Sequence, residues 1–540
     1  MTDPDADALL RAIVRHPDED TPRLAYADWL QENGRPEEAE FLRVQCWLAA
    51  AEPGEPEYPE LVDRDEELRL WLTTHVAGPR PTFPGGLSVE GGSHWWWLSH
   101  RGFPRFLHYA GIERPGAKAM RTLGAAVGRA FEALPTRWLV VNYVTVAQLA
   151  ALLKQPVLAG LSHLTLHLTD SGEGADEAAR LLAKCRHLRN LRGLSLAFGV
   201  GDAACAALAA APWEGLEWFK ADCHPIGPAG IRALAGAGWF RRLRELILPN
   251  GLPDETFDEL VRLPPLTRLH TLDLSMNSFP EASWQGFART RTFPALARLW
   301  LRDGDMSGGR LEALAGAGGF ELRILDLSGT GCHIDRSGTI AAASWAKSLR
   351  VLDLSLNALG PAGVKAIAAN QKFRALRHLS LADNALGPTG LTALVGNPAL
   401  RKLRALDIGG APHDNRGLSP AHFERFLTRL DMPDLRHLDL SGRPVGSKAA
   451  RRLTDPRFGS LTRLCLKGCR LTDAAVSALV TAPALANLIQ LELSDNRLTT
   501  GPERLTDRSV LPRLASCTLS GNPLPPAVTR KLRRRPGVRV

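Results

Sequence analysis

From about residue 161 to the C-terminus, leucines recur in a fixed nine-residue frame, LxxLxLxxN, cleanest where Leu349, Leu352 and Leu354 precede Asn357. Close copies occupy 269–277, 376–384 and 488–496, and the first leucines fall at 161, 191, 216, 243, 269, 296, 322, 349, 376, 403, 435, 461, 488 and 514. These are fourteen copies, most of them 26 or 27 residues apart. The alternation inside the frame predicts a strand, because side chains switch faces at every residue. Positions four and six then point inward, and positions three, five and seven point out. A single such strand cannot bury its leucines, so each must stack on the next as one parallel sheet. The asparagine at position nine is placed to bond backbone at the turn leaving the strand.

The segments between strands predict helices. Gly-Pro-Ala-Gly at 360–363, Gly-Pro-Thr-Gly at 387–390 and Gly-Pro-Ala-Gly at 227–230 put proline in a first helical turn, and apolar residues at helical spacing follow. A helix is about 10 Å wide, against about 4.8 Å between paired strands, so helices on one side bend the stack and make the sheet its concave face. The expected class is therefore α/β, a horseshoe solenoid with a concave parallel sheet and convex helices.

The chain before the repeats reads differently. Three short helices are expected: one around Leu9, Leu10, Ile13 and Val14 that ends at His16-Pro17, and one capped by Thr21 that stops at Asn33-Gly34. The third starts at Pro36 and turns Phe41, Leu42, Cys46, Trp47 and Leu48 inward. Ala51–Pro59 reads as a connector, and Leu61–His75 as a further helix. His94–Leu98 and Arg101–Leu107 fit a capping hairpin that closes the open end of the first coil, with Trp95, Trp96 and Trp97 as cap or as a stacking platform. Leu134–Asn142 lies 27 residues before Leu161 and reads as a degenerate first full coil. The organisation is then a helical head at 1–50, a linker helix and loop leading to the hairpin at 51–100, and a solenoid with a closing helix at 101–540.

Aromatic residues are only 6% of the chain while hydrophobic residues are 45%, which suits a core built from leucine and alanine. No apolar run approaches the roughly 18 residues that span a bilayer, and the acid-rich first thirty residues do not read as a secretory signal. Eight scattered cysteines without a CxxC pair fit reduced thiols in a cytoplasmic protein. The net charge of +9 divides unevenly, with residues 1–70 at −12 and the remainder at +21. An acidic head on a basic body is consistent with head-to-body docking, with an anionic partner for the body, or with solubility alone.

The stretch from Leu9 through His16-Pro-Asp-Glu-Asp-Thr-Pro-Arg-Leu-Ala-Tyr-Ala-Asp-Trp-Leu30 to Gln45 resembles the repeat-companion domain found in large sets in planctomycete bacteria, usually beside leucine-rich repeats. No catalytic activity is attached to that module. The long repeats with Gly-Pro-x-Gly helices resemble the ribonuclease-inhibitor class of leucine-rich repeats, and that resemblance implies a horseshoe whose concave sheet grips protein partners.

The outward positions give the candidate surface. Trp218, Asp273, Trp300, Arg302, Asp326, Asp353, His378, Asp407, His437, Asp439 and Glu492 are expected on the concave face. Six acids fall at position five, where neighbours such as Asp326 and Asp353 repel. A basic protein would relieve that repulsion; the same acids could equally serve local hydrogen bonds. Trp218 and Trp300 are the expected anchors, since aromatics dominate interface energetics. Position two carries Arg323, Arg350, Arg377, Arg404 and Arg436 along the strand-entrance rim, and the tail carries Arg530, Lys531, Arg533, Arg534 and Arg535 as exposed cap charges.

No GxxxxGK[ST], HExxH, GxSxG or CxxC occurs, and His163 and His167 lie about 13 Å apart along a strand, too far to share a metal. The expectation is a monomeric, non-catalytic binding module with no cofactor and no metal. Its partner would be an unidentified protein. Nucleic-acid binding through the basic rim and tail is the rival, and a GTPase-activating regulator with a rim arginine a weaker one.

Overall fold

A computed structural model describes residues 3–51, 58–76, 87–89, 99–101, 103–110, 117–170, 172–222, 226–332 and 337–540. The chain divides into two compact units, one of Met1–Arg69 with Gly78–Trp300, the other of Leu70–Ala77 with Leu301–Val540.

The first unit opens with α1 (Pro4–Arg15), α2 (Thr21–Glu32) and α3 (Pro36–Ala50), followed by α4 (Tyr58–His75), whose residues from Leu70 on belong to the second unit. Ala27, Leu30, Ala39 and Leu42 form the small core of the head, with Tyr26, Trp29 and Phe103 packed against it. Arg23 is buried, and its guanidinium donates to the carbonyls of Pro17 at 2.7 Å and Glu19 at 2.5 Å, tying the α1–α2 turn to the first turn of α2. Two details depart from expectation. Asp20, not Thr21, stands at the α2 cap, and Thr21 and Pro22 are the first two residues of the helix. Trp47 is exposed, since α3 spends its inward face on Phe41, Leu42, Val44, Gln45 and Cys46.

The head docks on the repeats within this unit. Arg101 pairs with Asp20 at 2.9 Å and donates to the Asp18 carbonyl, and Arg137 donates to the carbonyl of Val14 at 3.1 Å. The charge asymmetry of the sequence is thus partly spent inside the molecule.

Leu87–Val89 pairs antiparallel with Leu107–Ala110 and covers that edge of the sheet. Parallel strands then follow in register from Leu107–Ala110 through Trp138–Val144, His163–Leu168, Gly193–Ala197, Trp218–Asp222, Glu245–Ile247 and Thr271–Asp273 to Arg298–Trp300. The tryptophan run at 95–97 lies outside the described residues. The first full coil is present, but its frame differs from the one the leucine spacing suggested. Trp138 pairs with His163, so Thr136 rather than Leu134 holds position one, and Leu139 and Val141 are the buried pair.

The second unit continues the pattern from Ile324–Asp326 through Val351–Asp353, His378–Ser380, Ala405–Asp407, His437–Asp439, Arg463–Cys465 and Gln490–Glu492 to Ser516–Thr518, and Val538–Arg539 adds a final parallel strand. Leucines at positions four and six are buried in coil after coil, such as Leu352 and Leu354, or Leu438 and Leu440. The Gly-Pro-x-Gly segments are helical, at Gly360–Ala368 and Gly387–Leu394, as is the first unit's Pro228–Gly236. The closing helix spans Pro526–Leu532, but Arg535 is buried rather than exposed: its guanidinium donates to four carbonyls, Leu505, Asp507, Val510 and Leu511.

The position-nine asparagines form a ladder of amide donors to backbone carbonyls. Asn357 donates to the carbonyls of Leu327 in the preceding coil and Leu354 in its own, and accepts from the Cys332 N–H. Asn384, Asn496 and Asn522 repeat the two donations. Two coils that lack the asparagine carry another donor there. The Cys469 thiol meets the Leu440 carbonyl at 3.0 Å, and in the coil that follows the longest gap the fully buried Arg443 takes the place. Its guanidinium bonds the carbonyls of Ile408 at 2.6 Å and Gly409 at 2.8 Å.

The tip of α4 also belongs here. Leu70 and Trp71 pack on Ile489 and Ala515, which occupy position two of their coils. The first five coils of this unit carry arginine at that position. Among the described residues no helix is long and apolar enough to cross a membrane.

Candidate interaction face

The outward faces of the strands place the candidate residues in columns. In the second unit, strand register runs position five as Asp326, Asp353, Ser380, Asp407, Asp439, Cys465, Glu492 and Thr518, one strand apart. Position three runs Ile324, Val351, His378, Ala405, His437, Arg463 and Gln490 beside it. The sequence therefore brings Asp326, Asp353, His378, Asp407, His437, Asp439 and Glu492 together on one face.

Each position-five acid first serves its own chain. Asp326 accepts from the Ser328 N–H at 2.9 Å, Asp353 from Ser355 at 2.8 Å, Asp407 from Gly409 at 3.0 Å, Asp439 from Ser441 at 2.7 Å and Glu492 from Ser494 at 2.8 Å. In the first unit Asp273 does the same with Ser275 at 2.9 Å. A carboxylate two residues before the turn thus closes the strand exit, the local role of short polar side chains.

The repulsion along the column is managed piecewise. Arg302 donates to Asp326 at 2.7 Å, and Ser380 separates Asp353 from Asp407 and bonds the latter at 3.2 Å. Burial raises the Asp353 carboxyl. Burial, and then the neighbouring Asp439, push Asp407 up to about 6. Next along the column Cys465 is the half-buried exception among the described cysteines; burial and then Asp439 hold its thiol well above the ordinary range.

In the first unit, position three is aromatic. Trp138 stacks on His163 with centroids 4.9 Å apart, and Trp218 meets Trp138 at 5.4 Å across Gly193, whose lack of a side chain leaves room for the rings. The Trp218 indole N–H donates to Glu245 at 3.1 Å, and Arg298 lies 3.7 Å from the same carboxylate. Burial first, then Arg105 and Arg192, push His163 down to about 4, so the ring is neutral in this stack. Trp218 is therefore a half-buried member of a cluster rather than a free-standing ring. Trp300 is half-buried beside Asp273, its register partner, with the Arg298 guanidinium 5.6 Å from its ring.

The rim arginines are also in register. Arg350 N–H donates to the Arg323 carbonyl, and the same bond joins Arg377 to Arg350, Arg404 to Arg377 and Arg436 to Arg404. All five side chains are half-buried at the strand entrance. Arg323 pairs with Glu321 at 3.6 Å, not with the acid column.

Sequence reasoning missed position eight. There the backbone is left-handed in many coils, at Asp303, Gly329, Asp383, Gly442, Gly468, Asp495 and Gly521. Glycine and aspartate tolerate that conformation, and larger side chains resist it. Tyr143, Met276 and Leu356 sit at the same position with φ of 57°, 60° and 56°, and are 50%, 57% and 60% exposed. A bulky apolar residue where glycine or aspartate stands elsewhere was the available signal.

A family profile described as "Leucine Rich repeat" matches residues 346–368 and 374–395. Those are the coils of Asn357 and Asn384. The chain carries leucine-rich repeats. Its fold is a leucine-rich-repeat solenoid preceded by a small helical head. Among solved structures, an internalin from Listeria monocytogenes is similar over 59% of this chain and 78% of its own, at 15% identity and a TM-score of 0.36. The yeast Rad7 and Elc1 complex is similar over 79% of this chain and 89% of that one, at 14% identity and a TM-score of 0.38. No curated protein matches the sequence.

Proposed function

We propose that these repeats form a non-catalytic protein-binding surface, with the partner held on the concave strand face and against its exit edge. Position eight carries the reading. Holding Tyr143, Met276 and Leu356 left-handed costs about 1–2 kcal/mol each, and the same residues expose apolar surface. Strain and exposure together are what a binding site retains and a mere scaffold discards. In the second unit Leu356 lies just past the end of the strand that carries Asp353, and in the first Met276 lies just past the strand that carries Asp273. The partner is basic where it meets the acid column, whose carboxylates each have at least one oxygen committed locally, and Asp326 and Asp407 both.

The reading takes the repeats as ribonuclease-inhibitor-like and the head as the repeat-companion module of planctomycete proteins, a resemblance that implies binding without catalysis. The seven cysteines among the described residues form no disulfide, which suits a protein of the cytoplasm. The in-register arginine rim supports a second reading, in which the rim meets a nucleic-acid backbone.

Cross-linked pull-downs separate the two. Under the first reading, capture survives nuclease and falls at least about tenfold when Asp353, Leu356 and His378 are replaced together. Loss on nuclease treatment with an unaffected triple variant transfers the function to the rim.

A further inference from the structure

Among the described residues, the strand face of the second unit holds one mixed nitrogen, oxygen and sulfur donor set. His437 at position three, Asp439 two residues on, and Cys465 in the next coil place an imidazole nitrogen, a carboxylate oxygen and a sulfur within 4.8 Å of one another, all three half-buried. Strand pairing fixes the arrangement: Asp439 and Cys465 are register partners, and His437 shares a face with Asp439 because side chains alternate. We propose that His437, Asp439 and Cys465 bind a single zinc-class transition-metal ion, with the fourth coordination position open.

The donor types select the ion. A thiolate with an imidazole and a carboxylate suits Zn(II), whereas Mg(II) and Ca(II) take oxygen donors. Zn–S of about 2.3 Å and Zn–N of about 2.0 Å put tetrahedral donors about 3.5 Å apart, so rotation of these side chains by about an ångström closes the set. The backbone need not move, since the three residues stand on paired strands. Binding is a proton exchange: the thiol of Cys465 loses its proton to solvent as the S–Zn bond forms. The flanking charges favour a cation, with Asp407 beside Asp439 and Glu492 beside Cys465 in the register. Arg463, the register partner of His437, is the opposing charge. Three chain donors with one open position is the arrangement of metal sites that take a further ligand, from solvent or from a docked protein.

Titration of the full chain with Co(II) tests the site. One equivalent is expected to produce a thiolate-to-cobalt charge-transfer band, absent from Cys465→Ser and His437→Ala chains of unchanged far-ultraviolet circular dichroism. Arg463→Gln is expected to tighten binding. A second readout needs no variant: one equivalent of Zn(II) should slow alkylation of Cys465, read by mass spectrometry, by about tenfold or more, because a metal-bound thiolate is a poor nucleophile. A missing band, a band that survives Cys465→Ser, or full-rate alkylation of Cys465 at saturating Zn(II) overturns the proposal.

Discussion

The guanidinium of Arg443 donates to the carbonyl of Ile408, 2.6 Å away and one coil back, at the point in the frame where other coils place asparagine. Further bonds reach Gly409, Asn384 and the Asn415 side chain. Burial lowers its pKa, opposed by Asp414. Arg443→Ala should cost about 3–5 kcal/mol in urea denaturation, because buried carbonyls lose their donors and cannot reach water. Arg443→Asn should recover part of that loss by restoring the commoner donor. Equal losses in both variants would mean the site needs the volume of arginine rather than its hydrogen bonds.

Leu356 offers a test in which stability and binding move in opposite directions. Leu356→Asn places a residue that tolerates the left-handed backbone, so thermal unfolding should shift up by the equivalent of about 1 kcal/mol. Capture of a protein partner should weaken in the same variant. A chain that becomes more stable and binds as before would remove Leu356 from the interface.

Asp407 carries a pH signature. Its folded pKa of about 6 lies above that of an unfolded aspartate, so ionising it costs stability. Its favourable contribution is complete below about pH 4 and is lost as pH rises through about 6. Asp407→Asn keeps an oxygen for the Gly409 N–H and removes the charge. The variant should therefore be more stable than the parent by about 1–2 kcal/mol at pH 8 and no more stable at pH 4. Thermal unfolding at the two pH values decides it.

Gly193 is a steric requirement of the aromatic cluster. A methyl group there would overlap the His163 and Trp218 rings. Gly193→Ala should destabilise by about 1–3 kcal/mol and diminish the near-ultraviolet circular dichroism of the tryptophans. An unchanged near-ultraviolet spectrum would show that the rings are not packed as described.

The repeat strands were legible because the signal is redundant: the leucines of positions four and six and the asparagine of position nine repeat in phase. Where the signal thins, the frame slips. Leu134 sits at the right spacing but belongs to the turn before the strand, and only the Trp138–His163 pairing and the left-handed Tyr143 fix the register. The acid column was readable as residues, yet its hydrogen bonds depend on a turn geometry that spacing does not encode. Arg443 and Arg535 look like surface charges in the sequence; their burial follows from carbonyls contributed by other coils. The proximity of Cys465 to His437 rests on cross-strand distances that residue spacing does not encode.

The contact of Leu70 and Trp71 with Ile489 and Ala515 sets an order of events during biosynthesis. About four hundred residues separate the two sides, and translation adds about 5–20 residues per second. On the ribosome, the tip of α4 therefore waits on the order of 20–80 s for its docking surface to emerge. Until then a leucine and a tryptophan stay uncovered on the nascent chain, a window in which a chaperone has something to hold.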